Sequence, residues 1–258
     1  MKEKFGKPLY PLTAAQKLHF FYQKYCPKKQ VLNIGTSLTI QQSLDFGALK
    51  EAVYQAYARC ESMRLRFTQD EDGGVYQYIA DREERDIEFF DFTGWQECHA
   101  EDKMKEWTSV PFERFDSPLN RVVMIITPDG FQGIYLLVDH MTMDAQSLIL
   151  FLKDVIEIYA NMKYEGMEYP KEMKSYIEQL KKDLEYEADS RAKKRDTEFF
   201  EKMISSSEPI FNSIFGPGKL KAEREKEKIR ISGQSPMSQT MWMPTLSHFN
   251  WRQTPLIG

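Results

Sequence analysis

The residues best suited to chemistry lie between Phe131 and Ser147, FQGIYLLVDHMTMDAQS, where an apolar run gives way to Asp139, His140, Thr142 and Asp144. An imidazole at the end of a buried strand, with a carboxylate four residues on, offers a general base or a hydrogen-bond donor for acyl transfer. Attack on an acyl carbonyl places negative charge on its oxygen, and donors already aimed at that position stabilise it. A His-x3-Asp spacing by itself is a weak signal and more often belongs to a satisfied structural histidine. Asp144 also has two roles open to it. It stands at the N-cap of the helix that follows, a contribution of about 1 kcal/mol, and it can face an arginine, Arg59 or Arg64, that fixes the loop around His140. For Asp139 the open alternative is a bond to a backbone donor.

Other chemistries find less support. Four His and three Cys are scattered without metal-ligand spacing, so no metal site is expected, and the sequence has neither a Gly-rich dinucleotide fingerprint nor a GxSxG elbow. GPGK at Gly216 to Lys219 lacks the first Gly of a phosphate loop and has Leu220 where Ser or Thr should stand. Cys98 and His99 are neighbours in a predicted helix, point about 100° apart and cannot face each other. Cys26, Cys60 and Cys98 are expected to be free thiols.

The elements that would position the corner can be read from periodicity. Gly133 to Val138 is almost continuously apolar, as in a strand buried on both faces. Leu148, Phe151, Leu152, Val155, Ile156 and Tyr159 then follow helical spacing with one buried face. Upstream, Thr13 is a plausible N-cap for a helix whose stripe is Ala14, Leu18, Phe21, Tyr22 and Tyr25, ended by Pro27. His19 lies off that stripe and reads as a surface residue or a hydrogen-bonded spacer. Val31 to Ile40 reads as a strand, and Asp45 caps a helix striped by Leu49, Ala52, Val53, Ala56 and Cys60. Arg64 to Thr68 and Val75 to Ala80 form a hairpin around DEDGG. A short strand at Ile87 to Phe92, a helix from about Gln96 to Thr108 and a strand at Arg121 to Thr127 complete the approach to the corner. Beyond it come a charged helix with Met173, Ile177, Leu180 and Leu184 on one face, then a helix carrying Phe199, Phe200 and Met203.

The chain has 258 residues, 41% of them apolar and 13% aromatic, enough to bury a sizeable core and to exclude a disordered polymer. A net charge of −4 with the two signs mixed leaves no footprint for nucleic acid. No leader-like segment opens the chain, and no run approaches the roughly 18 apolar residues of a membrane span, so a cytoplasmic protein is expected. After Lys228 acidic residues are absent. That stretch shows neither helical nor strand periodicity, which predicts poor order or docking onto a partner.

Three motifs in order give the chain a resemblance to the amino-terminal lobe of condensation domains of nonribosomal peptide synthetases, in the chloramphenicol acetyltransferase-like superfamily. YPLTAAQKLHFF is similar to the opening SxAQxRLW segment, with Ala15 and Gln16 in place. RCESMRLRF is similar to RHExLRTxF, keeping Arg59, Glu61, Arg64 and Phe67, and DHMTMDA answers HHxxxDG. With YEADSRAKKRDTEFFEKM, which resembles the helix following the site, the likeness runs from Tyr10 to Met203.

The resemblance implies an α/β fold, an α+β sandwich with a mixed central sheet and packed helices. It implies a lobe over residues 1–170, a helical extension of that lobe over 171–204, and a truncated or poorly ordered tail over 205–258. It implies an acyltransferase that joins a carrier-bound acyl thioester to an amine or alcohol. The substrate arm would be phosphopantetheine, or CoA, with no tightly bound cofactor. His140 matches the His of the reacting centre, and Asp144 matches the Asp that pairs with an arginine of the second motif, Arg64 in preference to Arg59. Two positions depart from the pattern. Asp139 replaces the first His and adds a negative charge beside the site, and Ala145 replaces Gly, putting a methyl group where backbone passes close to substrate. Family members build a tunnel between two lobes. The expected partners are therefore a carrier protein and a second lobe on another chain, or further copies in a homo-oligomer. The alternative is a noncatalytic lobe that binds a carrier or a partner subunit.

Overall fold

The computed structural model describes residues 2–83, 85–188 and 190–206, and the backbone of 249–253. The GPGK stretch, the charge block that follows and most of the acid-free tail lie outside the described residues. The chain divides into two compact units, residues 1–183 with 248–258, and residues 184–247.

The first unit begins with three two-residue strands, β1 (Glu3–Lys4), β2 (Lys7–Pro8) and β3 (Tyr10–Pro11), followed by helix α1 (Ala14–Tyr25). Strand β4 (Asn33–Ile40), helix α2 (Phe46–Arg59), a 3-10 turn (Glu61–Arg64) and the hairpin β5 (Leu65–Gln69) and β6 (Val75–Ile79) come next. They are followed by β7 (Glu88–Asp91), α3 (Glu97–Ser109), β8 (Asn120–Ile126), β9 (Gln132–Asp139) and α4 (Ala145–Lys163). Helix α5 (Tyr176–Glu187) crosses from the first unit into the second, where α6 (Arg191–Ser206) follows.

A five-stranded sheet in the order β10-β4-β9-β8-β7 forms the centre, where β10 is Phe249–Gln253. Its pairs are antiparallel except for β7 beside β8. Strand β9 is central and its residues from Gly133 to Asp139 are all buried, which explains its unbroken apolar run. One face packs α2 and α4 through Leu38, Leu136, Val138, Ala52, Val53, Phe151, Leu152 and Val155. The other face packs α3 around Trp107, Tyr135 and Leu137. Gly133 is needed where β9 meets β4, because a Cβ there would lie 1.9 Å from the carbonyl oxygen of Leu38. A smaller sheet, β3-β6-β5, contains the expected hairpin, with Gly73 at φ +83 in its turn.

One expectation fails. The predicted apolar stripe of α1 points outward, with Leu18, Phe21, Tyr22 and Tyr25 at 55–66% exposure. The inward face is Gln16, His19, Phe20 and Gln23, which obey the same three-and-four spacing. Periodicity finds the helix but not the side that docks, and here that side carries amides that donate hydrogen bonds to the rest of the chain rather than apolar groups. Near the end of the chain, Phe249–Gln253 pairs with β4 from Phe249 opposite Ile40 to Gln253 opposite Thr36. Ladder bonds formed with a distant strand leave no trace in local periodicity. Among the described residues, no helix is long and apolar enough to cross a membrane.

Candidate active site

The corner after β9 is held by its backbone. The N–H of Asp139 donates to the Leu119 carbonyl at 2.9 Å and that of His140 to the Leu32 carbonyl at 2.8 Å. The Met141 N–H donates to Oδ1 of Asp139 at 2.9 Å. Thr142 donates to the Asp139 carbonyl twice, from its N–H at 2.9 Å and from its hydroxyl at 2.8 Å. Asp144 then caps α4, its Oδ1 accepting from the Ser147 N–H at 2.8 Å. With β8 and β9 paired directly beneath, the position of His140 follows from the sheet.

Helix α1 is tied to this corner. Thr13 and Gln16 form a capping box, in which the Thr13 N–H donates to Oε1 of Gln16 at 3.0 Å and the Gln16 N–H donates to the Thr13 hydroxyl at 3.2 Å. The buried amide of Gln16 also donates to the Met141 carbonyl at 3.2 Å and exchanges bonds with Gln77 at 3.0 and 2.8 Å. Tyr176, just entering α5, donates to Gln77 Oε1 at 2.6 Å. The docked α1 places the ring of His19 against that of His140, with centroids 4.8 Å apart and planes inclined by 58°.

His140 is half-buried. Its Nδ1 is buried without a hydrogen-bond partner among the described residues. Asp139, only 3% exposed, has its carboxyl pushed up by burial. The Met141 N–H and the charges of Arg114, His140 and His19 oppose that shift. Asp144 is held below the usual carboxylate range, first by the backbone N–H of Ser147. His19 is lowered, first by burial and then by the charge of His140, against the opposing pull of Asp139.

Not every sequence candidate converges here. Arg64 donates to the Ala80 carbonyl at 2.8 Å and the Ala58 carbonyl at 3.4 Å, and no hydrogen bond or ion pair joins it to Asp144 among the described residues. The expected Asp144–Arg64 pair is therefore corrected: the carboxylate caps α4 and the guanidinium reaches carbonyls just past β6 and in α2. Arg59 reaches α4 instead, at Asp154, through bonds of 2.9 and 3.1 Å. Glu61 accepts from the Ser175 hydroxyl and the Ile177 N–H at 2.9 and 3.1 Å, and Phe67 is fully buried in the core. Ala145 is exposed in the first turn of α4. His19, expected as a surface residue or spacer, reaches the site, and its shared spacing with Gln16 and Gln23 was the available signal.

A family model described as Condensation domain matches residues 7–234. The chain belongs to the condensation-domain family. Surfactin synthase subunit 1 of Bacillus subtilis (strain 168) is 26% identical over 229 residues, covering 83% of this chain and 6% of that protein. The dimodular nonribosomal peptide synthase of the same organism is 30% identical over 151 residues, covering 58% of this chain and 6% of that protein. Among solved structures, the starter condensation domain of the rhizomide synthetase RzmA superposes with a TM-score of 0.69 at 21% identity, over 78% of this chain and 49% of that one. The first condensation domain of the CDA synthetase gives 0.67 at 22%, over 78% and 52%. A variant of the RzmA domain has been solved in complex with C8-CoA and Leu-SNAC, with a TM-score of 0.69 at 22% identity, over 78% of this chain and 46% of that one. This condensation-domain chain thus has the chloramphenicol acetyltransferase-like fold and spans about half the length of the solved domains it matches.

Proposed function

We propose that the chain is the amino-terminal lobe of a condensation-type acyltransferase, joining a carrier-bound acyl thioester to an amine or alcohol acceptor. The observation that supports this most is His140, placed just past the end of the central strand with its backbone N–H bonded to Leu32 and its side chain only partly buried. In this reading Nε2 takes the proton of the attacking amine or hydroxyl, or orients it, as the lone pair adds to the thioester carbon. Collapse of the tetrahedral adduct breaks the C–S bond, and the departing thiolate takes up the proton. Asp139 and Asp144 keep the loop in shape through Met141 and Ser147, and Arg64 supports the second motif by tying it to the carbonyls of Ala80 and Ala58.

The phosphopantetheine or CoA arm enters as substrate rather than as a resident cofactor. A carrier protein brings it, and a second condensation lobe on another chain, or a further copy of this one, supplies the facing wall. Within the chain the reading takes residues 1–170 as the lobe and 171–204 as its helical extension. It places the reaction in the cytoplasm, in keeping with free Cys26, Cys60 and Cys98.

Asp139 favours a second reading. A buried carboxyl beside the imidazole, where the related motif has a histidine, suits a noncatalytic lobe that binds a carrier or partner subunit. Mass spectrometry of an acylated carrier incubated with amine acceptors and this chain separates the two. Acyl product above the no-protein control supports transfer, whereas carrier binding with no product supports the noncatalytic lobe.

A further inference from the structure

We propose that His19 is a positioning residue for His140, its ring forming the wall that sets the orientation of the reacting imidazole. The inference rests on the reading of His140 given above.

A base in acyl transfer is commonly oriented by a hydrogen bond to its second ring nitrogen. His140 has no such bond, because Nδ1 is buried without a partner among the described residues. The two neighbouring carboxylates are engaged elsewhere: Asp139 accepts from Met141 and Asp144 from Ser147. The ring packed against His140 is that of His19, tilted by 58° at 4.8 Å, close enough to hinder rotation of the imidazole about its Cβ–Cγ bond.

His19 is itself well anchored. Gln16, one helical turn earlier, bonds the carbonyl of Met141, the residue that follows His140, and Gln23, one turn later, donates to the Lys29 carbonyl at 2.5 Å. The Gln16 bond thus ties the helix that carries His19 to the corner that carries His140. The charged groups around the pair are Asp139 at the end of β9, Arg114 in the segment before β8 and Asp144 at the head of α4. Two imidazoles in contact resist double protonation, and for His19 the charge of His140 adds to burial in lowering its ordinary value.

Histidine-selective carbon-13 labelling of the full chain gives four ring systems to follow, His19, His99, His140 and His248. In His140→Ala the titration midpoint of His19 should rise. In His19→Ala the His140 ring should lose its wild-type pattern of cross-peaks to neighbouring side chains, and in His19→Phe it should keep it. Transfer from an acylated carrier should fall about tenfold or more in kcat in His19→Ala, with KM little changed, and His19→Phe should restore most of it. An unchanged cross-peak pattern in His19→Ala overturns the proposal, as does an unmoved His19 midpoint in His140→Ala. If the wild-type chain transfers no acyl group, the reading of the site fails, while the ring measurements still decide whether His19 positions His140.

Discussion

Arg59 at the end of α2 grips Asp154 in the body of α4 with two hydrogen bonds, Nε to Oδ2 at 2.9 Å and Nη2 to Oδ1 at 3.1 Å. The carboxylate side chain is 5% exposed and the guanidinium 15%. Arg59 also donates to the carbonyls of Pro170 and Lys171 and lies over the ring of Tyr169. The first arginine of the second motif thus clamps two helices and the loop that follows them, a role in the scaffold rather than in the reaction.

Removing either partner strands a desolvated charge. Arg59→Ala or Asp154→Ala should cost about 3–5 kcal/mol in urea unfolding, while a paired apolar replacement of both should recover much of that loss. Single substitutions costing under about 1 kcal/mol would show that the pair contributes little.

Asp144 and Arg64 should behave as independent residues. Asp144→Ala loses a helix cap and should cost about 1 kcal/mol. Combined with Arg64→Ala, the two effects should add to within about 0.5 kcal/mol. A larger coupling would restore the direct pair that the structure replaces with a cap and carbonyl contacts.

Asp139 makes stability depend on pH. Its carboxyl is raised in the fold, chiefly by burial, so the folded state keeps the proton at pH values where the unfolded chain has released it. The cost of burying the charge is fully present above the folded value and disappears as pH falls to the unfolded value near about 3.9. Asp139→Asn keeps an oxygen for the Met141 N–H and removes the charge. The variant should be more stable than wild type at pH 7, with the gap closing as pH falls. Urea melts at several pH values check this, and equal stability at pH 7 would contradict it.

Much of this arrangement is legible in the amino-acid order. The unbroken apolar run of β9, the α4 stripe from Leu148 to Tyr159 and the Asp45 cap each carry a local signature, and each stands where that signature puts it. The docking face of α1 was not legible by hydrophobicity, because Gln16 and Gln23 are buried through hydrogen bonds to residues distant or non-helical in the chain. The arginine assignments failed for a related reason. Arg59 and Arg64 are five positions apart in the same motif, and only the packing of α2 against α4 decides which one reaches an acid. His19 was missed because its only local mark is a three-and-four spacing shared with the polar Gln16 and Gln23, which hydrophobicity does not read as a docked face.

The most direct test of the central claim is the single-turnover rate of acyl transfer from an acylated carrier protein to an amine acceptor, measured for wild type and His140→Ala under identical conditions. The account predicts measurable transfer by wild type and a loss of about 10² to 10⁴-fold in the variant, the usual contribution of a positioned acid or base. Equal rates in the two proteins, whether well above the uncatalysed background or at it, would contradict His140 as the reacting centre.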